Sequence, residues 1–158
     1  MSESLREKIM GRMNELGISP KRSLGQNFLV SDSVVEKIVQ ATEIEKFDRW
    51  IEVGPGLGAL TDQLSRINQN GTLVEFDKEF SQYWRDRNFQ VEEMDALNFA
   101  WKDFSEQSGT SILVSNLPYQ ISSRLVVDLS LINPSINRMV LMFQKEVAQR
   151  ICEPPGSK

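Results

Sequence analysis

The chain has 158 residues, of which 40% are hydrophobic and 25% are charged, and its formal net charge is −4. This length fits one domain with its own core, and no apolar run reaches the ~20 residues of a membrane-spanning helix. The absence of histidine and the single cysteine, Cys152, exclude histidine-based triads and argue against a metal site or an internal disulfide. We therefore expect a cytoplasmic protein without metal or membrane contact, and the acidic balance argues weakly against nucleic-acid binding.

Two helices and a loop are predicted before the first strand. Residues 3–16 repeat apolar side chains at helical spacing, and Gly17 follows as a helix end. Residues 19–29 are basic and non-periodic, which predicts a loop. A second helix is expected to begin at residue 31 or 32 and to end near Thr42.

From Trp50 onward, short apolar strands alternate with helical segments. Strands are predicted at 50–53, 72–76, 89–92, 111–115 and 138–143. Helices are predicted at 57–67, 78–87, 121–131 and 144–151. This alternation predicts an α/β fold with a parallel, doubly wound sheet and helices on both faces. We expect one domain over 1–158, with 1–45 as an N-terminal extension of helices and loop.

A glycine-rich turn follows the first predicted strand, at the sheet edge where ligands bind in such folds. Gly54-x-Gly56-x-x-Ala59 satisfies the dinucleotide fingerprint. Glu75 lies 21 residues after Gly54, which is the separation expected for an acid that binds ribose hydroxyls. This turn alone therefore allows a nicotinamide cofactor.

S-adenosylmethionine is the alternative cofactor, because it also has a ribose for Glu75 and an adenine to be bounded. It lacks a pyrophosphate, so the turn would pack against its methionine and ribose. Glu52 would add a carboxylate near its ammonium and sulfonium groups, and Asp95, followed by Ala96, offers an acceptor for the adenine amine.

The fourth predicted strand ends in Asn116-Leu117-Pro118-Tyr119. Pro118 disfavours a helical conformation at Leu117, so the carbonyls of the turn project outward. Asn116 Oδ1 and the Leu117 carbonyl could accept both N–H bonds of an adenine amine and direct its lone pair at a sulfonium methyl, while Tyr119 stacks on the base. Such catalysis would rest on positioning and electrostatics, with the base single-stranded or flipped out. Nicotinamide chemistry has no use for this tetrapeptide, so an NAD-dependent oxidoreductase ranks second.

The order of the motifs resembles the ribosomal RNA adenine dimethyltransferases. The resemblance runs from about Lys21 to Lys158 and is closer to the small-subunit enzymes than to the erythromycin-resistance enzymes. It rests on Gln26-Asn27-Phe28-Leu29, Glu52 to Gly58, Glu75-Phe76-Asp77, Asp95-Ala96, Asn116 to Tyr119, and Phe143 to Ala148. It implies a Rossmann-like methyltransferase fold that uses S-adenosylmethionine. It further implies N6-dimethylation of two adjacent adenosines in a loop near the 3′ end of small-subunit rRNA, within a pre-assembled subunit. We expect the chain to be a monomer.

Turn chemistry and the resemblance together give the predicted site. The cofactor-binding residues are Gln26, Asn27, Leu29, Glu52, Gly54, Gly56, Glu75, Asp95, Ala96 and Asn116, and the catalytic residues are Asn116, Leu117, Pro118 and Tyr119. Of these, Asn27 and Leu29 rest on the resemblance alone.

Two departures from the family pattern stand out. Ser115 lies where the family usually has glycine, and the family continues past Lys158 into further strands and a small helical RNA-binding domain. We therefore expect a C-terminally truncated, cofactor-binding part of the enzyme. The expected truncation and the net charge of −4 leave a further alternative, a non-catalytic ribosome-assembly or RNA-binding factor.

Overall fold

The computed structural model describes residues 3–18, 28–106, 108–117, 119–131, 136–154 and 156. The helices are α1 (Leu5–Leu16), α2 (Asp32–Thr42), α3 (Thr61–Ile67), α4 (Lys78–Arg85), α5 (Trp101–Glu106), α6 (Ser122–Leu131) and α7 (Lys145–Cys152). The strands are β1 (Arg49–Val53), β2 (Gly71–Glu75), β3 (Gln90–Glu93), β4 (Ser111–Asn116) and β5 (Ile136–Met142). Short 3-10 helices cover Ile44–Lys46 and Ala96–Asn98.

All five strands are parallel, and their order across the sheet is β3-β2-β1-β4-β5. The chain therefore moves outward from β1 to β3, returns across β1, and continues outward through β4 to β5. This reversal is the topological switch point of a doubly wound sheet, where a crevice opens beyond the carboxyl ends of the strands. The predicted fold class is confirmed, and each strand lies within two residues of its predicted bounds.

Neighbouring strand residues feed two hydrophobic clusters on opposite faces of the sheet, because successive side chains of a strand alternate in direction. Trp50 belongs to one cluster with side chains of α1 to α4, such as Ile9 and Trp84. Ile51 belongs to the other, which includes Trp101 of α5 and Leu125 of α6. Helices therefore cover both faces, as predicted, and α1 shares a core with the sheet.

Two helix predictions need correction. The helix predicted at 57–67 begins at Thr61, because residues 57–60 form turns and Gly58 has a left-handed φ of 86°. The segment between β3 and β4 had no predicted helix, yet it contains the 3-10 helix and α5. The α5 segment has only six residues, too few for a clear amphipathic repeat. Its apolar residues Trp101 and Phe104 are nevertheless buried against the sheet.

The protein's three tryptophans are all buried, and each indole N–H donates to a backbone carbonyl. Trp50 donates to Asn68 O at 2.7 Å, Trp84 to Gly56 O at 2.9 Å, and Trp101 to Ala96 O at 2.8 Å. A buried indole needs such a partner because its unpaired N–H would cost free energy. The three acceptors lie at the end of α3, in the glycine-rich turn and at the start of the second 3-10 helix, so the tryptophans fix connections between strands as well as filling the core.

No helix in the described ranges is long and apolar enough to cross a lipid bilayer. Within the same ranges, no group of three or more acidic or cysteine side chains is placed to hold a metal ion.

Candidate functional site

A cavity lies at the carboxyl edge of the sheet, where β1, β2 and β4 end and the loop after β3 begins. All ten predicted site residues in the described part of the chain line it: Leu29, Glu52, Gly54, Gly56, Glu75, Asp95, Ala96, Asn116, Leu117 and Tyr119. The other three, Gln26, Asn27 and Pro118, lie outside the described residues. The structure thus brings the glycine turn and the Asn116 turn to one space, which is the arrangement that both sets of predictions require.

The glycine turn follows the carboxyl end of β1 and has a backbone conformation that favours glycine. Gly56 has a φ of 50°, and a Cβ there would lie 3.3 Å from Phe28 Cε1. Gly58 has a φ of 86°, and a Cβ there would lie 2.5 Å from Trp84 Cη2. The left-handed backbone favours glycine at both positions, and at Gly58 the close neighbours also exclude a side chain.

Glu52 is the fourth residue of β1 and is only 2% exposed. Its Oε2 accepts a 2.7 Å hydrogen bond from Thr61 Oγ1, at the start of α3. Burial raises the pKa of Glu52 from 4.5 to about 8, the hydrogen bond from Thr61 opposes the rise, and the charges of Asp62 and Glu75 add to it. The carboxyl is therefore largely protonated at neutral pH in the cofactor-free protein.

Glu75 ends β2 and is also buried, at 7% exposed. Its two oxygens accept backbone hydrogen bonds, from Asp77 N at 2.9 Å and from Gly56 N at 3.3 Å. Burial raises the pKa of Glu75 to about 7, and these backbone donors oppose the rise. Glu75 thus joins the end of β2 to the glycine turn while facing the cavity.

Asp95 and Ala96 begin the 3-10 helix after β3. Asp95 is its N-cap, and Oδ1 accepts a 2.9 Å hydrogen bond from Leu97 N. Asp95 is half-buried and lines the cavity, whereas Ala96 is buried and accepts the Trp101 indole bond. A capping role and a cavity-lining position therefore coexist at Asp95.

Asn116 is the last residue of β4, and the turn that follows is fixed from both sides. Leu117 is 1% exposed, and its N–H donates to Met142 O of β5 at 3.3 Å. The Tyr119 carbonyl accepts a 3.2 Å hydrogen bond from Ser122 Oγ of α6, while the Tyr119 side chain is 41% exposed. An anchored backbone with an exposed aromatic ring at the cavity suits a stacking platform.

Sequence reasoning assigned no cofactor contact to the aromatic side chains of the cavity. Phe76, directly after Glu75, lines it although its side chain is 62% exposed. Phe28 and Phe80 form another wall, with ring centroids 5.9 Å apart in an edge-to-face arrangement. The available signal was a large apolar residue between two acids, Glu75 and Asp77, at a strand end, where packing alone would not demand it.

A ribosomal RNA adenine dimethylase family model matches residues 17–158. The chain belongs to this family. It is 47% identical over 146 residues to the ribosomal RNA small subunit methyltransferase A of Bdellovibrio bacteriovorus, an alignment that covers 92% of this chain and 53% of that relative. The chain spans about half the length of the curated relatives it matches.

Solved structures show the same fold. A dimethyladenosine transferase from Plasmodium falciparum superposes with a TM-score of 0.70 and 28% identity, covering 83% of this chain and 48% of that one. The 23S rRNA methyltransferase ErmE gives a TM-score of 0.66 and 26% identity, covering 78% and 50%. The sheet is therefore the Rossmann-like sheet of methyltransferases that use S-adenosylmethionine.

The lining of the cavity suits the dimethylase cofactor. In the described part of the chain, neither buried carboxylate, Glu52 or Glu75, forms an ion pair with a cationic side chain. A cationic ligand would therefore meet two carboxyl groups with no competing cationic side chain among those residues, and its charge would favour their ionised forms. The exposed ring of Phe76 adds an apolar surface beside Glu75 that a planar base could cover. Charge and shape both fit S-adenosylmethionine.

Proposed function

We propose that this chain binds S-adenosylmethionine in the cavity and methylates the N6 amines of adjacent adenosines in small-subunit rRNA. The observation that carries the proposal is the meeting of the glycine turn and the Asn116 turn in one cavity. The names of the relatives support the choice of small-subunit rRNA. A pre-assembled ribosomal subunit as partner, a monomeric state and a cytoplasmic location stay predictions.

On the cofactor side, residues from three strand ends would each bind one part of the ligand. Glu75 would accept hydrogen bonds from the ribose hydroxyls, and Asp95 would accept one from the adenine amine. Phe76 would pack its exposed ring on the adenine. Glu52, beneath the glycine turn, would stabilise the positive charge of the bound methionine portion. When bound, the cofactor supplies an electrophilic methyl group on its sulfonium.

On the acceptor side, the Asn116 turn would orient the amine. Asn116 Oδ1 and the Leu117 carbonyl would accept its two N–H bonds, which draws the nitrogen toward tetrahedral geometry and aims its lone pair into the cavity. Tyr119 would stack on the base, which must leave its own stack to reach this position. The proton of the amine can leave after methyl transfer, so these residues act by positioning and need no base of tuned pKa.

Two measurements test the proposal. Calorimetry with S-adenosylmethionine should show saturable one-to-one binding to the 158-residue chain. Tight binding of NADH together with no binding of S-adenosylmethionine would refute the proposed methyltransferase activity. Labelled methyl transfer to small subunits that lack these methyl groups, with the position mapped by primer extension, should place label on two adjacent adenosines.

An Asn116→Ala variant separates an enzyme from an assembly factor. The rate of methyl transfer should fall by at least about a hundredfold, because the substitution removes a catalytic hydrogen-bond acceptor. Asn14→Ala, an exposed position on α1, is the matched control and should retain full transfer. Label that persists in Asn116→Ala would contradict the catalytic role of the turn. Cofactor binding without any transfer by the unaltered chain would favour the assembly factor.

A further inference from the structure

Two backbone carbonyls of the glycine turn are held by side chains from outside the cavity. Trp84 Nε1 of α4 donates to Gly56 O at 2.9 Å, and Arg12 Nη1 of α1 donates to Leu57 O at 2.5 Å. Gly56 and Leu57 line the cavity, whereas neither donor does. The donors thus hold the turn from behind.

The same two side chains also define the space behind Gly58. A Cβ at Gly58 would lie 2.5 Å from Trp84 Cη2 and 2.7 Å from Arg12 Nη1. Trp84 is fully buried, and its ring packs edge-to-face against Phe89 at 5.0 Å. Trp84 and Arg12 therefore occupy the space that a side chain at Gly58 would need.

Arg12 is itself held in place by three further interactions. Its Nη2 pairs with Asp62 Oδ2 of α3 at 2.8 Å, and its guanidinium lies over the rings of Tyr83 and Trp84, with Cζ 5.7 and 5.9 Å from their centroids. Its side chain is 15% exposed. A guanidinium held on several sides has little freedom, so its bond to Leu57 O is preorganised.

We propose that Arg12 and Trp84 are positioning residues for the cofactor, an inference that rests on the proposed function. Because a trans peptide is planar, fixing the Gly56 carbonyl also fixes the Leu57 N–H, which points the opposite way. The Trp84 bond therefore directs that N–H away from the Trp84 ring, within a turn whose Gly56 and Leu57 both line the cavity. The Arg12 bond holds the next peptide, whose Gly58 N–H closes the turn on Pro55 O at 2.9 Å. The N-terminal helix thus shapes the glycine turn through Arg12, which does not itself line the cavity.

A matched control lies one helical turn away. Lys8 forms an ion pair with the same Asp62 oxygen as Arg12 and sits on the same helix, but it has no bond to the glycine turn in the part of the chain that the structure describes. Lys8→Ala therefore removes an α1–α3 ion pair alone. Arg12→Ala removes an ion pair to Asp62, the donor to Leu57 O and the contacts of the guanidinium with the Tyr83 and Trp84 rings.

Calorimetry with S-adenosylmethionine on the 158-residue chain tests the proposal, at a temperature well below the melting point of every variant. Arg12→Ala should weaken binding about tenfold, because a charge-assisted hydrogen bond that orders the turn is lost. Lys8→Ala should weaken it by less than about twofold, as expected for a partly exposed ion pair. Arg12→Lys, which keeps one cationic donor, should recover part of the loss.

Trp84→Phe gives a second, independent measurement. It removes the indole N–H but keeps an aromatic ring, and it should also weaken binding about tenfold. Equal affinities of Arg12→Ala and Lys8→Ala, with matched melting points, would overturn the proposal, because Arg12 would then only dock α1. Absence of binding by the unaltered chain would instead refute the proposed function itself, and the inference with it.

Discussion

Replacing Glu52 by glutamine should stabilise the cofactor-free protein by an amount that is small at pH 5 and grows as the pH rises to about 8. Glutamine has the shape of the protonated carboxyl and retains an oxygen to accept the 2.7 Å bond from Thr61 Oγ1. It never has to carry a charge in a site that is only 2% exposed. The change therefore removes the cost of ionising Glu52 while preserving its packing and its partner.

The magnitude follows from the pKa of Glu52, which rises from 4.5 to about 8 on folding. Each pKa unit corresponds to about 1.4 kcal/mol, so the shift of about 3.5 units amounts to at most about 5 kcal/mol. Because the folded-state pKa is raised, the stabilisation is complete below pH 4.5 and is lost as the pH rises through about 8. The advantage of Glu52→Gln should be below about 1 kcal/mol at pH 5, about 3 kcal/mol at pH 7, and largest above pH 8.

Urea denaturation at pH 5, 6, 7, 8 and 9, followed by circular dichroism, measures this difference directly. Glu75 also has a raised pKa, but it is present in both proteins, so the difference between them isolates Glu52 and its coupling to Glu75. Glu36→Gln, at an exposed position on α2, is the matched control. Its free energy of unfolding should follow that of the unaltered protein within about 0.5 kcal/mol at every pH.

Parallel stability curves for Glu52→Gln and the unaltered protein from pH 5 to 9 would refute this reasoning. They would show that the folded protein ionises Glu52 without cost. The protonation state of Glu52 should also affect cofactor binding, because a cationic cofactor favours the charged form of the carboxylate. Affinity for S-adenosylmethionine should thus rise between pH 6 and about 8 in the unaltered protein, and less steeply in Glu52→Gln.

Two further substitutions test the glycine turn by urea denaturation. Gly58→Ala should lower the free energy of unfolding by at least about 3 kcal/mol, because φ is 86° and the new Cβ would meet Trp84 at 2.5 Å. Gly11→Ala, in mid-helix with open space around it, should instead raise the free energy of unfolding by up to about 1 kcal/mol. A similarly small effect at both positions would contradict the backbone strain and the clash at Gly58. Ser115→Ala removes the 2.5 Å hydrogen bond from a fully buried hydroxyl to Val53 O and should cost about 1 to 3 kcal/mol, whereas unchanged stability would mean that β1 and β4 need no such link at their carboxyl ends.

The sequence predicted the sheet well because four of its five strands contain a short apolar run bounded by polar turns. All five β1 residues are buried, including Arg49 and Glu52, which is typical of a central parallel strand. Prediction failed where local signals are weak or conflict. The six residues of α5 are too few for a repeat to show, and the helix after the glycine turn starts late because the turn needs a left-handed residue at Gly58.

Motif spacing located the site because parallel strands deliver their carboxyl ends to one edge. The spacing could not reveal the support behind that edge. Arg12 lies 45 positions before Leu57, and Trp84 lies 28 positions after Gly56, in stretches that read only as amphipathic helices. Likewise, nothing in the local sequence of Glu52 indicates that Thr61 would be its partner. Such contacts depend on how helices pack on the sheet, which periodicity does not specify.

The placement of the three indoles makes the protein a natural subject for fluorescence spectroscopy. Trp50 lies in the hydrophobic cluster on one face of the sheet, and Trp101 lies in the cluster on the other face. Trp84 lies directly behind the glycine turn. Variants that keep one tryptophan and replace the other two by phenylalanine would each emit from a single, known layer. The Trp84 emission would report ligand entry, while the other two would show whether the two faces of the sheet unfold together.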